Sequence, residues 1–288
     1  MADLRSEPYR EAWLPVTAGI SLYYRDYGTG TAMPVICLPG YWRTSRDFEE
    51  LAGYLATGRR VVTVDLRGRG KSGRSSDPAD YHFDRLVEDT QKLMNELGVT
   101  RAVLVGLALG AEVAMELAVR HPERVAGIVF NDSAPESNPI AGAGMKAFSG
   151  GDELSRDQAL ERIKAQYAED CPRLGEADFD RLIHRNYART DAGTYVRDFD
   201  QLTNVELLRM KTERPTFWKE FASIDAPVAV LRGANSKYLT EEIAARMLER
   251  NPRASLHTIP DCGHPVMLWE PETFAAIDKL LAQVDMAS

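Results

Sequence analysis

Short apolar runs rich in valine and isoleucine alternate with amphipathic stretches over most of this chain. The four runs between residues 35 and 131 lack strict alternation with polar residues, which is typical of strands covered by helices on both faces. The pattern therefore predicts an α/β fold with a mostly parallel central sheet and helices on both of its faces. The predicted strands are residues 35–38, 60–65, 102–105, 127–131, 227–232 and 254–259, and the predicted helices that pack on them are residues 83–97, 111–120, 241–249 and 274–284.

The pattern changes in the middle of the chain, after Pro135. Residues 137–151 are rich in glycine, alanine and serine. Polar segments that favour helices follow at 158–169, 178–188 and 203–211. We interpret residues 135–217 as an inserted helical lid, and residues 1–134 together with 218–288 as the core domain.

The segment GLALG joins a predicted strand to a predicted helix. Gly106 and Gly110 flank Ala108 at the turn, and small residues on both sides let a strand and a helix pass close to each other. The segment fits the pattern G-x-S-x-G with alanine in the serine position. The alternative is an ordinary strand–turn–helix connection in which the glycines serve packing alone.

Two further polar residues lie in the connections after predicted strands. His264, in the segment PDCGHP, lies between the last strand and the last helix, whereas the other four histidines have no such setting. Asp132 follows the strand that precedes the predicted lid. The alternative role of Asp132 is an Asx turn or a helix cap, because an aspartate after a strand often accepts a hydrogen bond from its own backbone.

Four stretches, in this order, resemble the single-domain α/β-hydrolases that carry a helical cap. They are LPGYWRTSRDFEELA, VVTVDLRGRGKSG, VGLALGAEVAMELA and PDCGHPVMLWEPE, which together cover nearly the whole chain except the predicted lid. The resemblance implies that position 108 is the nucleophile position of a serine-type hydrolase, with Ala108 where serine is expected. It also implies that His264 is the general base.

The resemblance further implies an oxyanion hole made of backbone N–H groups. In this family one donor follows the glycine of an early loop and the other follows the nucleophile, which gives Tyr41 and Leu109 here. Pro39 stands where the loop usually has histidine, but backbone donors survive a change of side chain. Trp42 and Leu107, beside these donors, are the candidate substrate-pocket residues.

The position of the acid departs from the usual family pattern. Most members supply it from the loop after the strand 227–232, where this chain has Lys237 and no carboxylate. Haloalkane dehalogenases and some other members take it from the strand before the lid, which makes Asp132 the candidate. In a form with serine at position 108, His264 would accept the hydroxyl proton while Asp132 held the imidazole tautomer.

With Ala108 there is no oxygen to attack a carbonyl group. We therefore expect a hydrolase whose substrate is a small, largely apolar ester, lactone or related carbonyl compound. With Ala108, we expect this hydrolase to be inactive. Either Ala108 is an introduced substitution that traps the substrate, or the chain is a natural non-hydrolytic ligand-binding protein or an enzyme that uses His264 as a base without a cofactor. Leu109, in place of the tryptophan usual after the nucleophile of epoxide hydrolases, favours acyl-type hydrolysis.

Two further reaction types remain alternatives, because epoxide hydrolases and C–C bond hydrolases share these motifs. Epoxide opening would need tyrosines in the lid. The predicted lid has Tyr167, Tyr187 and Tyr195.

Composition limits the partners and the compartment. The 288 residues carry a net charge of −8, and no apolar run approaches the roughly 20 residues of a membrane span. We therefore expect a cytoplasmic protein with a small-molecule substrate and no nucleic-acid or membrane partner. No metal or cofactor is expected, because cysteine spacing fits no zinc site and residues 68–73, GRGKSG, do not open the helix that a phosphate-binding loop needs.

Overall fold

The computed structural model describes residues 8–136 and 152–287. The strands are β1 Tyr9–Thr17, β2 Ile20–Leu38, β3 Arg59–Val64, β4 Ala102–Leu107, β5 Val125–Asn131, β6 Ala188–Arg189, β7 Tyr195–Val196, β8 Val228–Gly233 and β9 Ala254–Ile259. Among the described residues, seven strands form the main sheet in the order β1-β2-β4-β5-β8-β9, with β3 paired to β2. The short strands β6 and β7 form a separate antiparallel pair.

The amino-terminal part of the main sheet is antiparallel, which the sequence pattern did not predict. β1 and β2 form a hairpin, and the predicted strand 35–38 is only the end of the 19-residue β2. β1 is an edge strand with exposed charged positions and with Pro15 beside a bulge, so it lacks a continuous apolar run. From β2 through β4, β5, β8 and β9 the strands pair in parallel, as predicted.

Helices cover both faces of this sheet. The helices of the described residues are α1 Glu49–Leu55, α2 Phe83–Glu96, α3 Leu109–Arg120, α4 Arg156–Tyr167, α5 Glu176–Asn186, α6 Thr203–Glu213, α7 Trp218–Ala222, α8 Glu241–Arg250 and α9 Pro271–Met286. On β4, Leu104 belongs to a buried cluster with α2, α3 and α8, whereas Val103 and Val105 belong to a second cluster with α1 and α9. The predicted parallel sheet between two layers of helices is therefore confirmed.

The chain between β5 and β8 contains α4, α5, α6 and the β6–β7 pair. We call the described residues 152–217 of this segment the insertion. Its helices lie close to the predicted ones, but the helix predicted over 178–188 ends at Asn186, because Ala188 and Arg189 pair with β7. Residues 137–151 of the predicted lid lie outside the described residues, and the boundary between core and lid stays a prediction.

Backbone hydrogen bonds join the insertion to the loop after β3. Gly70 N–H donates to the Asp198 carbonyl at 2.8 Å, and Asp200 N–H donates to the Gly68 carbonyl at 2.7 Å. The loop itself is held by Asp65, whose carboxylate accepts the Ser45 and Lys71 backbone N–H groups. These contacts give GRGKSG a structural role. Among the described residues, no helix is long and apolar enough to cross a membrane.

The contact between α3 and β2 gives a stability prediction at Gly110. A Cβ atom there would lie 2.0 Å from the Leu38 carbonyl oxygen. Because both elements belong to the core, we expect Gly110→Ala to lower the free energy of unfolding by about 2–4 kcal/mol, as measured by urea denaturation. Gly58→Ala is the control, since a Cβ atom there meets nothing within 4 Å, and its effect should stay within about 0.5 kcal/mol. Equal effects of the two substitutions would contradict the prediction.

Candidate active site

Ala108 occupies the sharp turn between β4 and α3. Its φ of 45° and ψ of −107° lie in a region that residues with a side chain rarely adopt. The chain passes so close to itself here that a Cβ atom at Gly106 would lie 2.5 Å from the backbone nitrogen of Ala111. The backbone N–H of Ala108 donates to Ser133 Oγ at 2.7 Å. The turn therefore holds the methyl group of Ala108 at the carboxyl end of a parallel strand.

Asp132 and His264, two of the predicted site residues, are in contact. His264 Nδ1 lies 2.8 Å from Asp132 Oδ2. The Asp132 side chain is fully buried, whereas that of His264 is 22% exposed. The ring of Tyr238 stacks on the imidazole of His264 with 4.1 Å between the ring centroids. The imidazole is thus fixed by a carboxylate on one nitrogen and by an aromatic face.

Asp132 accepts further hydrogen bonds from the last residue of β8 and from the loop that follows it. Gly233 N–H donates to its Oδ1 at 2.9 Å, and Ser236 Oγ donates to its Oδ2 at 2.6 Å. Ser236 Oγ in turn accepts the N–H of Tyr238 and that of Leu239, at 3.2 and 3.1 Å. The buried carboxylate therefore has several hydrogen-bond partners, as a desolvated charge requires.

Lys237 stands in the loop where most family members would supply the acid. Its Nζ lies 2.9 Å from Asp170 and 3.5 Å from Glu169, which follow α4 in the insertion. Lys237 thus joins the loop after β8 to the insertion, while the neighbouring Ser236 contacts Asp132. The loop still contacts Asp132, although it contributes a hydroxyl group where most family members have a carboxylate.

The loop with Tyr41 and Trp42 is fixed on several sides. The Tyr41 hydroxyl donates to Glu112 Oε1 at 2.7 Å, and its carbonyl accepts Arg69 Nε at 2.6 Å. Burial and the adjacent Glu112 carboxylate raise the pKa of Tyr41 well above its usual value, so the hydroxyl stays a donor. Trp42 Nε1 donates to Asn204 Oδ1 of the insertion at 2.8 Å. The peptide proposed as an oxyanion donor is therefore held in one place.

The second predicted oxyanion donor, Leu109, is the first residue of α3. The first N–H groups of a helix have no partner within the helix, which leaves such a group available to a substrate oxygen. Leu107, predicted to line the pocket, is 3% exposed. Its side chain packs against Gly40, the residue before Tyr41. The roles of Leu109, Leu107 and Trp42 stay predictions.

The structure adds four residues that the sequence did not suggest. Ser133 holds the backbone of position 108, Ser236 and Tyr238 hold Asp132 and His264, and Arg69 holds the backbone of Tyr41. Burial lowers the pKa of Arg69 to about 10, at which its guanidinium is still charged at neutral pH. Only the position of Ser133, directly after Asp132, could have been a signal in the sequence. Within residues 8–136 and 152–287, no group of three or more His, Cys, Asp or Glu residues could hold a metal ion.

Comparison with known proteins decides the family. The profile of the alpha/beta hydrolase family matches residues 35–277, a range that includes position 108, Asp132 and His264. The chain belongs to the α/β-hydrolase family. The resemblance drawn from the four sequence motifs is therefore confirmed.

Three similar proteins illustrate the range of this family. The crystal structure of an α/β-hydrolase from Novosphingobium aromaticivorans is 31% identical, with a TM-score of 0.86 over 96% of this chain and 98% of that one. The 3-hydroxybutyrate-oligomer hydrolase of Cupriavidus necator is 28% identical over 88% of this chain and 89% of its own. The 2-hydroxymuconate semialdehyde hydrolase of a Pseudomonas species is 27% identical over 95% and 94% of the two chains. All three are named as hydrolases.

The backbone strain at position 108 of this α/β-hydrolase gives a prediction. Glycine adopts the observed φ of position 108 without steric cost, but it also increases the conformational entropy of the unfolded chain. Because the relief of strain is the larger effect, Ala108→Gly should raise the free energy of unfolding by about 1 kcal/mol. Ala114→Gly, at a buried helical position of α3, should lower it by about 1 kcal/mol or more. Urea denaturation measures both. A loss of stability in both variants would contradict a strained turn.

The hydrogen bonds of Asp132 give a second prediction. Asp132→Ala leaves the Gly233 N–H buried without its acceptor, so we expect the free energy of unfolding to fall by about 3–5 kcal/mol. Asp132→Asn should cost less, because an amide oxygen can still accept that N–H. Asp152→Asn, at an exposed carboxylate, is the control and should change stability by no more than about 0.5 kcal/mol in the same urea titration. An equally small loss for Asp132→Ala would contradict the structural role of the carboxylate.

Proposed function

We propose that this α/β-hydrolase binds a small, largely apolar ester, lactone or related carbonyl compound, and that serine at position 108 makes it hydrolytic. The observation that carries the proposal is the 2.8 Å contact between His264 Nδ1 and Asp132 Oδ2. Because the carboxylate accepts the Nδ1 proton, Nε2 of His264 is left as the nitrogen that takes up a proton. With Ala108 in place, the reaction stops at the bound substrate.

In the serine form, each residue has a defined task. His264 removes the proton from the serine hydroxyl while the serine oxygen attacks the substrate carbonyl carbon. Asp132 stabilises the resulting imidazolium and keeps its orientation. His264 then gives the proton to the leaving group, and a water molecule, activated by the same imidazole, releases the acyl group from the serine.

The negative charge that develops on the carbonyl oxygen needs fixed donors. We assign this role to the backbone N–H groups of Tyr41 and Leu109. The hydrogen bond from Arg69 to the Tyr41 carbonyl supports the assignment, because a donor that is already oriented costs no reorganisation during the reaction. The start of α3 at Leu109 supports it as well, since the helix N-terminus favours negative charge.

The names of the relatives support the substrate class. One acts on a 3-hydroxybutyrate oligomer and another on 2-hydroxymuconate semialdehyde, both of which contain carbonyl groups. The first name favours an ester-type reaction and the second leaves C–C bond hydrolysis as an alternative for the same residues. In this proposal both reactions need a hydroxyl group at position 108, so the same substitution tests both.

A second candidate function follows from the combination of Ala108 with a complete His264–Asp132 pair. An imidazole oriented by a buried carboxylate can remove a proton from a bound ligand without any covalent step. In that case the chain as written is an enzyme or a ligand-binding protein in its own right. A ligand of this kind should stabilise the unmodified chain in a thermal-shift screen, without release of a hydrolysis product.

The direct test is Ala108→Ser. We expect at least about a 1,000-fold rise in kcat on 4-nitrophenyl acetate, a small lactone or a 1,3-diketone, because the lost nucleophile of a serine hydrolase typically costs about six orders of magnitude. The measurement is initial-rate hydrolysis at neutral pH, with the unmodified chain assayed beside the variant. If the Ala108→Ser variant hydrolyses none of the three substrate classes, the result would favour the non-hydrolytic function.

The control separates the proposed triad from a reactive surface group. Ala108→Ser combined with His264→Gln should lose nearly all of the activity gained, since the serine then has no base. Ala111→Ser, at a fully buried position near the start of α3, should give no activity, because its hydroxyl is out of reach of a substrate. Equal rates in the double variant and in Ala108→Ser would overturn the role assigned to His264.

A further inference from the structure

Two of the three cysteines meet where the insertion contacts the loop that carries His264. Cys171 follows α4, and its N–H donates to the Tyr167 carbonyl at 2.9 Å. Cys262 lies two residues before His264. Each is 3% exposed, and none of the three cysteines is in a disulfide. The two thiols therefore belong to parts of the chain that are far apart in sequence.

The backbones around these thiols are held together by hydrogen bonds. Gly263 N–H donates to Cys171 Sγ at 3.2 Å. Asn235 connects the same two segments, because its side chain donates to the Asp170 carbonyl and its backbone N–H donates to the Cys262 carbonyl, both at 2.9 Å. A Cβ atom at Gly263 would lie 2.6 Å from Asp170 Cβ, so the segments are in direct contact. These contacts hold the two cysteine-bearing segments side by side.

The surroundings make Cys171 the better nucleophile of the two. A hydrogen bond from the Cys262 thiol, together with the Gly263 N–H, lowers the pKa of Cys171 despite burial. That same hydrogen bond, burial and the Glu270 carboxylate raise the pKa of Cys262. Cys262 Sγ also lies 3.6 Å from Glu270 Oε1, which is an alternative acceptor for the same thiol proton. A thiolate at Cys171 beside a thiol at Cys262 is the arrangement that precedes disulfide formation.

We propose that Cys171 and Cys262 form a peroxide-sensitive thiol pair, whose oxidation to a disulfide joins the insertion to the His264 loop. The proposal does not depend on the function assigned to position 108. Hydrogen peroxide is only slightly larger than water, so a small local opening admits it to a buried pair. Cys37 provides an internal comparison, since it is buried inside β2 and burial raises its pKa.

The proposed oxidation proceeds in two steps. The Cys171 thiolate attacks one oxygen of hydrogen peroxide, the O–O bond breaks, and the departing hydroxide takes up a proton to leave as water, which gives a sulfenic acid. The sulfur of Cys262 then attacks the sulfur of Cys171, the S–O bond breaks, and the second oxygen leaves as water with the thiol proton. Two thiols lose two electrons and two protons, and one peroxide becomes two waters.

The test uses the full chain, treated with hydrogen peroxide and then alkylated under denaturing conditions. We expect an intact mass lower by about 2 Da before alkylation, two fewer alkylated cysteines, and a single cross-linked peptide that contains Cys171 and Cys262. Dithiothreitol should reverse all three changes. Because the cross-link closes a long loop, Tm should rise by roughly 5–10 °C in the oxidised form and return on reduction.

Matched variants show which thiols are responsible. Cys171→Ser and Cys262→Ser should each lose the cross-link and the reversible shift in Tm, whereas Cys37→Ser should keep both. If either serine variant fails to fold, alanine replaces serine, and the peptide map of the unmodified chain decides the pairing by itself. A map that shows oxidation of Cys171 to sulfinic acid without a cross-link, a disulfide that involves Cys37, or an unchanged Tm in the cross-linked chain would overturn the proposal.

Discussion

The buried carboxylate of Asp132 is the interaction on which the site depends most. It lies at the end of β5 and accepts hydrogen bonds from Gly233, the last residue of β8, and from Ser236 in the loop after it, while it contacts His264 in the loop after β9. Removing a carboxylate from water costs several kcal/mol, and these donors offset that cost only when all of them are in place. The ends of three neighbouring strands are therefore fixed together by one side chain.

The turn at Ala108 depends on the same end of β5. Ser133, the residue after Asp132, donates its hydroxyl to the Asn131 carbonyl and accepts the Ala108 N–H. The unfavourable φ of Ala108 persists because β4 and α3, which it joins, are both anchored in the core. A change in the path of the chain at residues 131–133 would thus move both the candidate acid and the backbone of the nucleophile position.

Local patterns in the sequence were sufficient for the parallel strands and for most helices. The pairing of Asp132 with His264 was implied by the resemblance to α/β-hydrolases, with Asp132 directly after one strand and His264 in the loop after the last strand. Local patterns were insufficient where a contact joins distant segments that carry no motif. The β1–β2 hairpin has no buried apolar run in its first strand, and Lys237 gives no sign in the sequence that it pairs with Asp170. The contact between Cys171 and the Cys262 loop likewise depends on how the insertion packs on the core, which spacing along the chain does not encode.

Asp132 and His264 carry different weight as indications of function. The hydrogen bonds of Asp132 to Gly233 and Ser236 explain its presence by stability alone, even in a chain with no nucleophile. His264 has no comparable structural explanation, since its side chain is 22% exposed and its ring contacts are the Asp132 carboxylate and the face of Tyr238. An oriented and accessible imidazole contributes little to folding but can move a proton to or from a bound molecule. The case for chemistry at this site therefore depends on His264 more than on the preserved turn at Ala108, and it holds whether or not the proton comes from a serine.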